Sequence, residues 1–318
     1  MIGERIIDFL LEKNGKMGMN IAFLPYCFQM WDCMESVYQS AKEKGIGVGV
    51  FPIPYFNLKD GHIDEWHNEH ELFEDVIDED DLYDFNDFLR CSESIDYVVI
   101  HNAYDNGNTL TTIHPFFYTD KLKTWGMKLI FVPYGIFQGG QMLRQKGLIN
   151  CDYIFVKDEE ERETFLKTWN EIDIDMSDRC YAIGSPKFDA LYKKYDMPFE
   201  WKKKVYKPMT LICTSVVPFM IDPERKFNQY KDTFWSELAK GRMVIFRPHP
   251  LMEATIKNRC PDLLEEWERF LEIVNEKAIL DIDHELAESM CFATYMISDH
   301  SSVIELWKET GKPYEVME

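Results

Sequence analysis

The sequence contains none of the short glycine-rich or serine motifs that mark several large enzyme classes. We find no Gly-x-Gly-x-x-Gly, no Gly-x-x-x-x-Gly-Lys-Ser/Thr and no Gly-x-Ser-x-Gly, and no predicted strand carries Asp-x-Asp. These absences disfavour nicotinamide-dependent enzymes, P-loop hydrolases and serine hydrolases.

Long apolar runs are also missing. No stretch approaches the 18 or so consecutive apolar residues that a membrane span needs, and the N-terminus lacks a basic segment followed by an apolar core. Ile2, Ile6, Phe9 and Leu10 have helical spacing, and the mixed charges between them favour a domain-capping helix over a lipid anchor. We expect a cytoplasmic protein, at most peripheral to the inner face of the membrane.

The eight cysteines do not form a metal-binding or disulfide pattern. None lies in a C-x-x-C motif or at zinc-ligand spacing from a histidine, and most stand in apolar, strand-like contexts. They are typical of reduced core residues, and we expect neither a metal site nor a cofactor.

Basic residues are few relative to acidic ones. The chain has 35 Lys and Arg against 56 Asp and Glu, a formal net charge of -21. This charge disfavours nucleic-acid partners and broad adsorption to anionic lipid, although a small basic patch at 202–204 could dock locally. A phosphate-binding site would have to be a local exception.

What is present is a regular alternation of apolar strands and helices over 318 residues. Such alternation is typical of parallel sheets covered by helices, and the length suits two domains. We predict an α/β fold with two Rossmann-like domains, 1–192 and 193–318, facing across a cleft. The acidic stretch at 74–81 is interpreted as surface. The strands are predicted at 20–24, 47–53, 97–101, 128–132, 153–156, 181–183, 209–214, 243–246, 295–297 and 314–316.

Two strand endings in the second domain carry phosphate-binding chemistry. In Arg247-Pro-His-Pro250 the prolines fix the backbone, Arg247 could pair with a phosphate, and His249 could donate a hydrogen bond or exchange a proton. In Ser298-Asp-His-Ser-Ser302 a helix is predicted to begin at Ser301 or Ser302, so that its N–H groups and hydroxyls could bind an anion. A proline-terminated strand and an ordinary serine helix cap are the alternative interpretations.

Further polar residues could complete such a site. Thr214 and Ser215 follow a third strand and could add hydroxyl contacts, and Glu305 could accept the hydroxyls of a ribose. Lys187, in a Gly-Ser-Pro turn, is a candidate contact near the cleft. Each of these also has an ordinary structural explanation as a turn or a solvated helix residue.

In the first domain, His101, His114 and Tyr134 stand at or just after strand ends. Any of them could face the cleft as an acid, a base or an acceptor contact. A single histidine in a loop is more often structural.

Arg247-Pro-His-Pro250, Ser298-Asp-His-Ser-Ser-Val303 and Gly184-Ser-Pro-Lys-Phe-Asp189, in this order and spacing, resemble the CDP-glycerol glycerophosphotransferases of teichoic-acid synthesis. The second matches the family's Ser-Asp-Tyr-Ser-Ser pattern and the third its Gly-x-Pro-Arg-x-Asp pattern. The likeness extends from about residue 128 to the C-terminus, and the segment 21–55 looks like a subgroup of bacterial members.

The resemblance implies a GT-B fold whose C-terminal domain binds CDP-glycerol or a similar CDP-alditol. An acceptor hydroxyl, on a glycan or polyol phosphate that is free or lipid-linked, would attack the β-phosphate and release CMP. By position, Arg247 and His249 would neutralise the diphosphate, and Asp299, His300, Ser301 and Ser302 would form the segment that holds its oxygens. Phosphoryl transfer is accelerated mainly by such charge stabilisation.

The sequence departs from the family at two places. The family has His-Gly after the strand at 128–132, where this chain has Tyr134-Gly135, so His101 or His114 would have to replace the general base. The chain also ends at Glu318 without the final helices that usually complete the fold, because this branch is shorter or because the chain is truncated. A GT-B nucleotide-sugar glycosyltransferase or epimerase, and a non-catalytic nucleotide-binding relative, are the alternative hypotheses.

Overall fold

The computed structural model describes residues 1–15, 18–59, 61–136, 144–205 and 208–318. Within them the chain forms two compact units, Met1–Ala190 and Leu191–Glu318. All eight cysteines are free thiols, and five of them are buried. Among the described residues, no helix is long and apolar enough to cross a membrane.

The first unit is built on a parallel sheet of six strands in the order β2-β1-β5-β7-β8-β9. Strands such as β5 are buried along their whole length, which explains their uninterrupted apolar sequence. The strands in the described part of this unit are β1 (Asn20–Leu24), β2 (Gly47–Val50), β3 (Tyr55–Lys59), β4 (His62–His67), β5 (Tyr97–Ile100), β6 (Thr111–Ile113), β7 (Lys128–Phe131), β8 (Tyr153–Val156) and β9 (Cys180–Ala182).

Helices connect these strands. The first helix buries Ile6, Ile7 and Leu10 and lies close to the second helix at Gly3, where a Cβ would stand 2.2 Å from the backbone oxygen of Ser36. The helices are α1 (Ile2–Asn14), α2 (Glu35–Glu43), α3 (Phe88–Cys91), α4 (Thr119–Thr124), α5 (Glu159–Asn170) and α6 (Lys187–Ala190).

A small antiparallel sheet, in the order β4-β3-β6, was not predicted from the sequence. Strand β4 is exposed along most of its length, so it lacks the apolar alternation by which a half-buried strand is recognised. Its pairing with β3, which includes a register shift between Asn57 and Leu58, becomes visible only in the folded chain. The acidic stretch that follows lies largely at the surface, where Asp78 and Asp81 accept hydrogen bonds from Lys42.

The second unit contains one parallel sheet in the order β12-β11-β10-β13-β14. Its strands are β10 (Met209–Cys213), β11 (Met243–Arg247), β12 (Ile279–Leu280), β13 (Tyr295–Asp299) and β14 (Tyr314–Met317). The two-residue strand β12 is too short to be recognised from apolar periodicity and was not predicted.

Seven α-helices lie in the described part of this unit. Phe227 and Phe234 on one helix pack with Trp267 and Phe270 on another and with Phe246 on β11, which forms an aromatic core between helices and sheet. The helices are α7 (Phe199–Lys202), α8 (Val216–Ile221), α9 (Pro223–Ala239), α10 (Met252–Arg259), α11 (Leu264–Lys277), α12 (Leu286–Phe292) and α13 (Ser302–Lys308).

The predicted α/β class with two Rossmann-like parallel sheets is confirmed. Helix boundaries differ locally. The helix predicted near 30–44 is divided into a 3-10 helix, Phe28–Cys33, and α2, with Met34 at φ −115° between them. Within the 3-10 helix, the carboxylate of Asp32 is held by Lys187, so a tertiary ion pair accompanies this break in the helix.

Candidate functional site

The carboxyl ends of three neighbouring strands meet in the second unit. Cys213 at the end of β10 is in register with Arg247 of β11 on one side and with Ser298 of β13 on the other. The two endings singled out in the sequence therefore flank β10 and are not direct neighbours. The segment after β10, Thr214 and Ser215, lies at the centre of this edge, where ligands of open α/β sheets bind.

Thr214 connects two of these endings. Its hydroxyl oxygen accepts a hydrogen bond from the backbone N–H of His249 at 3.1 Å, and its own N–H donates to the carbonyl of Arg247 at 3.3 Å. Thr214 is buried, so these bonds are shielded from water. The contacts explain why the Pro-His-Pro turn stays next to the end of β10.

His249 is held as a neutral hydrogen-bond donor. Its Nδ1 accepts a hydrogen bond from the backbone N–H of Leu251 at 3.1 Å, which leaves the ring proton on Nε2. Burial lowers the pKa of His249 to about 4, so the ring is uncharged at neutral pH. The Nε2–H group of a partly exposed ring can then donate to an anion.

Asp299 is completely buried, and both of its oxygens have partners. One accepts from the backbone N–H of Ser215 at 2.9 Å and from the Tyr230 hydroxyl, and the other accepts from the Lys226 ammonium at 3.0 Å. Both oxygens of the carboxylate that was expected to bind a ligand are thus engaged within the protein. Asp299 instead fixes the Ser215 turn.

Sequence reasoning missed Lys226 and Tyr230. They lie four residues apart on α9, within the buried stripe that also contains Phe227 and Phe234. A lysine within an otherwise apolar helical stripe is the signal that could have revealed a buried ion pair, because lysine is almost never buried without a partner.

Arg247 is buried and its Nη1 donates to Oδ2 of Asp281 at 2.6 Å. Asp281 follows β12 directly and also accepts from the Ser289 hydroxyl. A buried carboxylate therefore already balances the charge of Arg247, the residue that was expected to neutralise a diphosphate. Asp281 was missed because the two-residue strand before it cannot be recognised from the sequence.

The segment after β13 places two hydroxyls at the same edge. Ser301 is the N-cap residue of α13 and Ser302 is its first residue, as predicted; both are partly exposed, and the Ser301 side chain makes no capping hydrogen bond. His300 is exposed. Glu305 is partly buried, and its carboxylate accepts from Lys308 at 2.5 Å, so an ordinary helix ion pair accounts for it.

In the first unit, His101 lies directly after β5 and is completely buried. Its ring stacks on Tyr26 with centroids 4.8 Å apart, and its Nε2 accepts from the Tyr26 backbone N–H at 3.2 Å. Burial lowers the pKa of His101 to about 3. Because Nε2 is already an acceptor and Nδ1 carries the proton, this ring has no lone pair available for a base.

His114 and Tyr134 are the other two candidates for a catalytic acid or base in the first unit. Nδ1 of His114 accepts from the N–H of Phe116 at 3.3 Å, and burial lowers the pKa of His114. Burial, followed by the neighbouring tyrosines Tyr104 and Tyr26, raises the pKa of Tyr134 well above its usual value. Tyr134 makes an edge contact with His101, at 6.2 Å between ring centroids, whereas His114 follows β6 of the antiparallel sheet.

Lys187 has a structural partner within the first unit. Its ammonium group donates to both oxygens of Asp32 at 2.6 Å, and the pair is buried. In the same motif, Asp189 accepts from the N–H groups of Ile2 and Gly3 at 3.0 and 2.9 Å. The motif that was expected to contact the donor through Lys187 thus holds α1 and the 3-10 helix in place.

Several solved structures are similar to this chain in fold. The chain resembles UDP-GlcNAc 2-epimerase from Methanocaldococcus jannaschii (12% identity, TM-score 0.59, 94% of this chain and 83% of the other). It is also similar to a putative UDP-N-acetylglucosamine 2-epimerase from Listeria monocytogenes, with 13% identity and a TM-score of 0.60, over 95% of this chain and 79% of the other. A third similar structure is that of the wall teichoic acid polymerase TagF, with 11% identity and a TM-score of 0.50, over 98% of this chain and 73% of the other.

No protein-family model matches the sequence, and no curated protein matches it. At these identities the structural similarity defines the fold alone. The chain has the GT-B type of α/β fold, as predicted.

Proposed function

We propose that this protein is a transferase that moves an alditol phosphate, glycerol phosphate or a similar group, from a CDP-activated donor to a cell-surface glycan or polyol-phosphate acceptor. One observation carries the proposal: the segments after β10, β11 and β13 meet at one sheet edge and present Ser215, His249, Ser301 and Ser302. Their sequences are also the ones that resemble CDP-glycerol glycerophosphotransferases.

The donor diphosphate would be bound mainly by neutral groups. The Nε2–H of His249 and the hydroxyls of Ser301 and Ser302 can donate to phosphate oxygens without carrying charge. The cationic side chains Arg247 and Lys226 are each paired with a buried aspartate, so Arg247 would contribute an oriented hydrogen-bond donor and little net positive charge. Binding would then depend on donors held in place beforehand, as Thr214 holds the turn at His249.

In the proposed reaction, an acceptor hydroxyl oxygen bonds to the β-phosphorus, and the bond from that phosphorus to the bridging oxygen breaks. CMP leaves with the bridging oxygen, and the hydroxyl proton of the acceptor passes to water or to the phosphate of the departing CMP. Neutral donors at the phosphates stabilise the charge that shifts onto the leaving group. The first unit would bind the acceptor, which is a glycan or a polyol phosphate, free or lipid-linked. The protein would lie in the cytoplasm or be peripheral to the membrane.

A second candidate is a nucleotide-sugar epimerase or glycosyltransferase. The similarity in fold to the UDP-GlcNAc 2-epimerases, at TM-scores of 0.59 and 0.60, favours it. Both functions need a diphosphate at the carboxyl edge of the sheet, and they differ in the nucleobase and the group transferred. A nucleotide-binding protein without turnover is the third candidate, because one ring nitrogen of His101 and of His114 already accepts a backbone hydrogen bond and burial raises the pKa of Tyr134.

Donor turnover separates these candidates. The protein is incubated with CDP-glycerol, CDP-ribitol or UDP-GlcNAc, with and without polyol-phosphate and glycan acceptors, and the released CMP, UMP or UDP is measured by chromatography. Acceptor-dependent CMP release supports the proposal. Conversion of UDP-GlcNAc with no CMP release would select the second candidate, and a thermal shift with nucleotides but no turnover would select the third.

His249→Ala tests the site directly. Loss of one preorganised donor to a developing phosphate charge should lower the rate of CMP release about 100-fold. His62→Ala, which removes an exposed histidine from β4, is the matched control and should retain full activity. Unchanged turnover in His249→Ala would contradict the role of His249.

A further inference from the structure

Asp281 lies beside the proposed donor site, and its carboxylate is hydrogen-bonded to other residues of the protein. Its backbone N–H donates to the carbonyl of Phe246 in β11 at 2.9 Å, which places it next to the end of that strand. Oδ2 accepts from Arg247 at 2.6 Å and from the Ser289 hydroxyl, and Oδ1 accepts from the N–H of His284 at 3.4 Å. The Asp281 side chain is completely buried.

Stability is a weak explanation for this arrangement. Removing an arginine and a carboxylate from water costs several kcal/mol for each ion, and apolar residues of the same volume are often as stable or more so. What a buried, hydrogen-bonded partner does provide is a fixed orientation for the guanidinium. Ser289 fixes the carboxylate in turn, because its hydroxyl donates to the oxygen that Arg247 uses.

We propose that Asp281, supported by Ser289, is a positioning residue that orients Arg247 at the phosphate-binding edge and so determines how tightly the diphosphate is held. This inference rests on the proposed function, because it assumes a nucleotide diphosphate at the ends of β10, β11 and β13. Asp281 would act through Arg247 and would not touch the substrate.

If the role of Asp281 were purely structural, replacing another buried, ion-paired carboxylate should affect CDP binding equally. The same unit contains such a carboxylate as a control. Glu237 is also completely buried and ion-paired, and it accepts from Thr210 at 2.9 Å, from Lys240 at 2.6 Å and from Arg242 at 2.8 Å. Thr210 lies near the start of β10 and Arg242 just before β11, at the opposite end of the sheet. Glu237 therefore matches Asp281 in being a buried, ion-paired carboxylate, although its partners Lys240 and Arg242 are more exposed than Arg247, and it lies at the other end of the sheet.

The experiment compares Asp281→Asn with Glu237→Gln. Binding of CDP and of cytidine is measured by titration calorimetry, and the melting temperature of each variant is recorded. Both variants should melt at a lower temperature than the wild type, because Asp281→Asn leaves the buried Arg247 without its partner and Glu237→Gln replaces a buried carboxylate that accepts three hydrogen bonds. Asp281→Asn should lose about tenfold or more of the preference for CDP over cytidine, as expected when the Arg247 hydrogen bond to phosphate is misplaced, whereas Glu237→Gln should keep it.

Two further variants keep the inference testable. If Asp281→Asn does not fold, Ser289→Ala removes one supporting hydroxyl and should reduce the same preference in part. Combining Asp281→Asn with Arg247→Gln should weaken CDP binding no more than Arg247→Gln alone, because the two residues would act as one unit.

Several outcomes overturn the inference: an equal loss of preference in both variants, equal or tighter CDP binding by Asp281→Asn, or additive effects in the double variant. A wild-type protein that binds CDP no tighter than cytidine also overturns it. A wild-type protein that prefers CDP but releases no CMP contradicts the proposed transferase alone, and the binding comparison of Asp281→Asn with Glu237→Gln still decides the role of Asp281.

Discussion

At the scale of single residues, the positions of protons decide what the candidate side chains can do. In His249 and His101 a backbone N–H occupies one ring nitrogen, so the other carries the proton and both rings are donors. Burial lowers the pKa of each, to about 4 and about 3, which keeps both rings neutral. A neutral donor suits binding of a phosphate oxygen, whereas removal of a proton needs an unoccupied lone pair.

Substitution of Tyr134 tests whether this residue acts as a general base. Because burial raises its pKa well above the usual value, its hydroxyl stays protonated and cannot act as a base at neutral pH. Tyr134→Phe should therefore change the rate of CMP release by less than about threefold, well below the effect typical of losing a general base. The rate is measured at saturating donor and acceptor, with His249→Ala as the inactive reference. A loss of 100-fold or more would identify Tyr134 as catalytic.

At the scale of elements, the ends of helices and strands carry most of the specific contacts. Asp189 accepts from two N–H groups in the first turn of α1, although the two residues lie 187 and 186 positions away in the sequence. A helix N-terminus with two satisfied donors and an adjacent negative charge is stabilised both by hydrogen bonding and by its dipole. This contact fixes α1 on the body of the first unit.

Asp189→Ala should destabilise the first unit by about 1–2 kcal/mol, the upper part of the range for loss of a helix cap. Denaturant unfolding followed by circular dichroism measures the change in the free energy of unfolding. Glu12→Ala, an exposed acidic residue near the end of the same helix, is the matched control and should have little effect. Equal destabilisation by the two variants would show that Asp189 does not act as the cap.

At the scale of the whole molecule, the net charge of -21 coexists with a few buried cations that all have acidic partners. Lys187, Lys226 and Arg247 pair with Asp32, Asp299 and Asp281 respectively, so acidic residues hold these cations within the core. This arrangement keeps excess positive charge away from the sheet edge of the second unit. An anion bound there would depend on the geometry of hydrogen-bond donors more than on net attraction.

The stability of the molecule should fall as the pH is lowered from about 6.5. In the unfolded chain histidine gains a proton near its usual pKa, whereas in the folded chain His101 resists protonation down to about 3 and His249 down to about 4. The unfolded state then binds more protons between these values, and stability decreases by at most about 1.4 kcal/mol per pH unit for each histidine. His284, whose pKa is raised mainly by Glu288, acts in the opposite direction within the second unit.

His101 is therefore the better residue for this test. We expect His101→Asn to unfold with a smaller loss of stability between pH 7.5 and pH 5 than the wild type, as measured by urea titration at several pH values. His62→Asn, at an exposed position, should retain the wild-type dependence. An unchanged pH dependence in His101→Asn would show that His101 is not held neutral in the folded state.

The sequence by itself determined the α/β class, the order of the parallel strands along the chain and the start of the helix at Ser302, because these features depend on local apolar periodicity and on local turn and cap chemistry. It also located the polar strand endings at Thr214, His249 and Ser301. Resemblance in three motifs added the expected chemistry of the donor.

Only the tertiary structure decided which of these residues are available. The sheet order that places β10 between β11 and β13, the antiparallel pairing of β3 with β4 and β6, and the ion pairs of Lys187 and Arg247 all join residues distant in sequence. Local periodicity carries no information about such pairings. The same reason applies to proton positions, because the backbone contacts of an imidazole follow from the fold and decide whether that ring is a donor or a base.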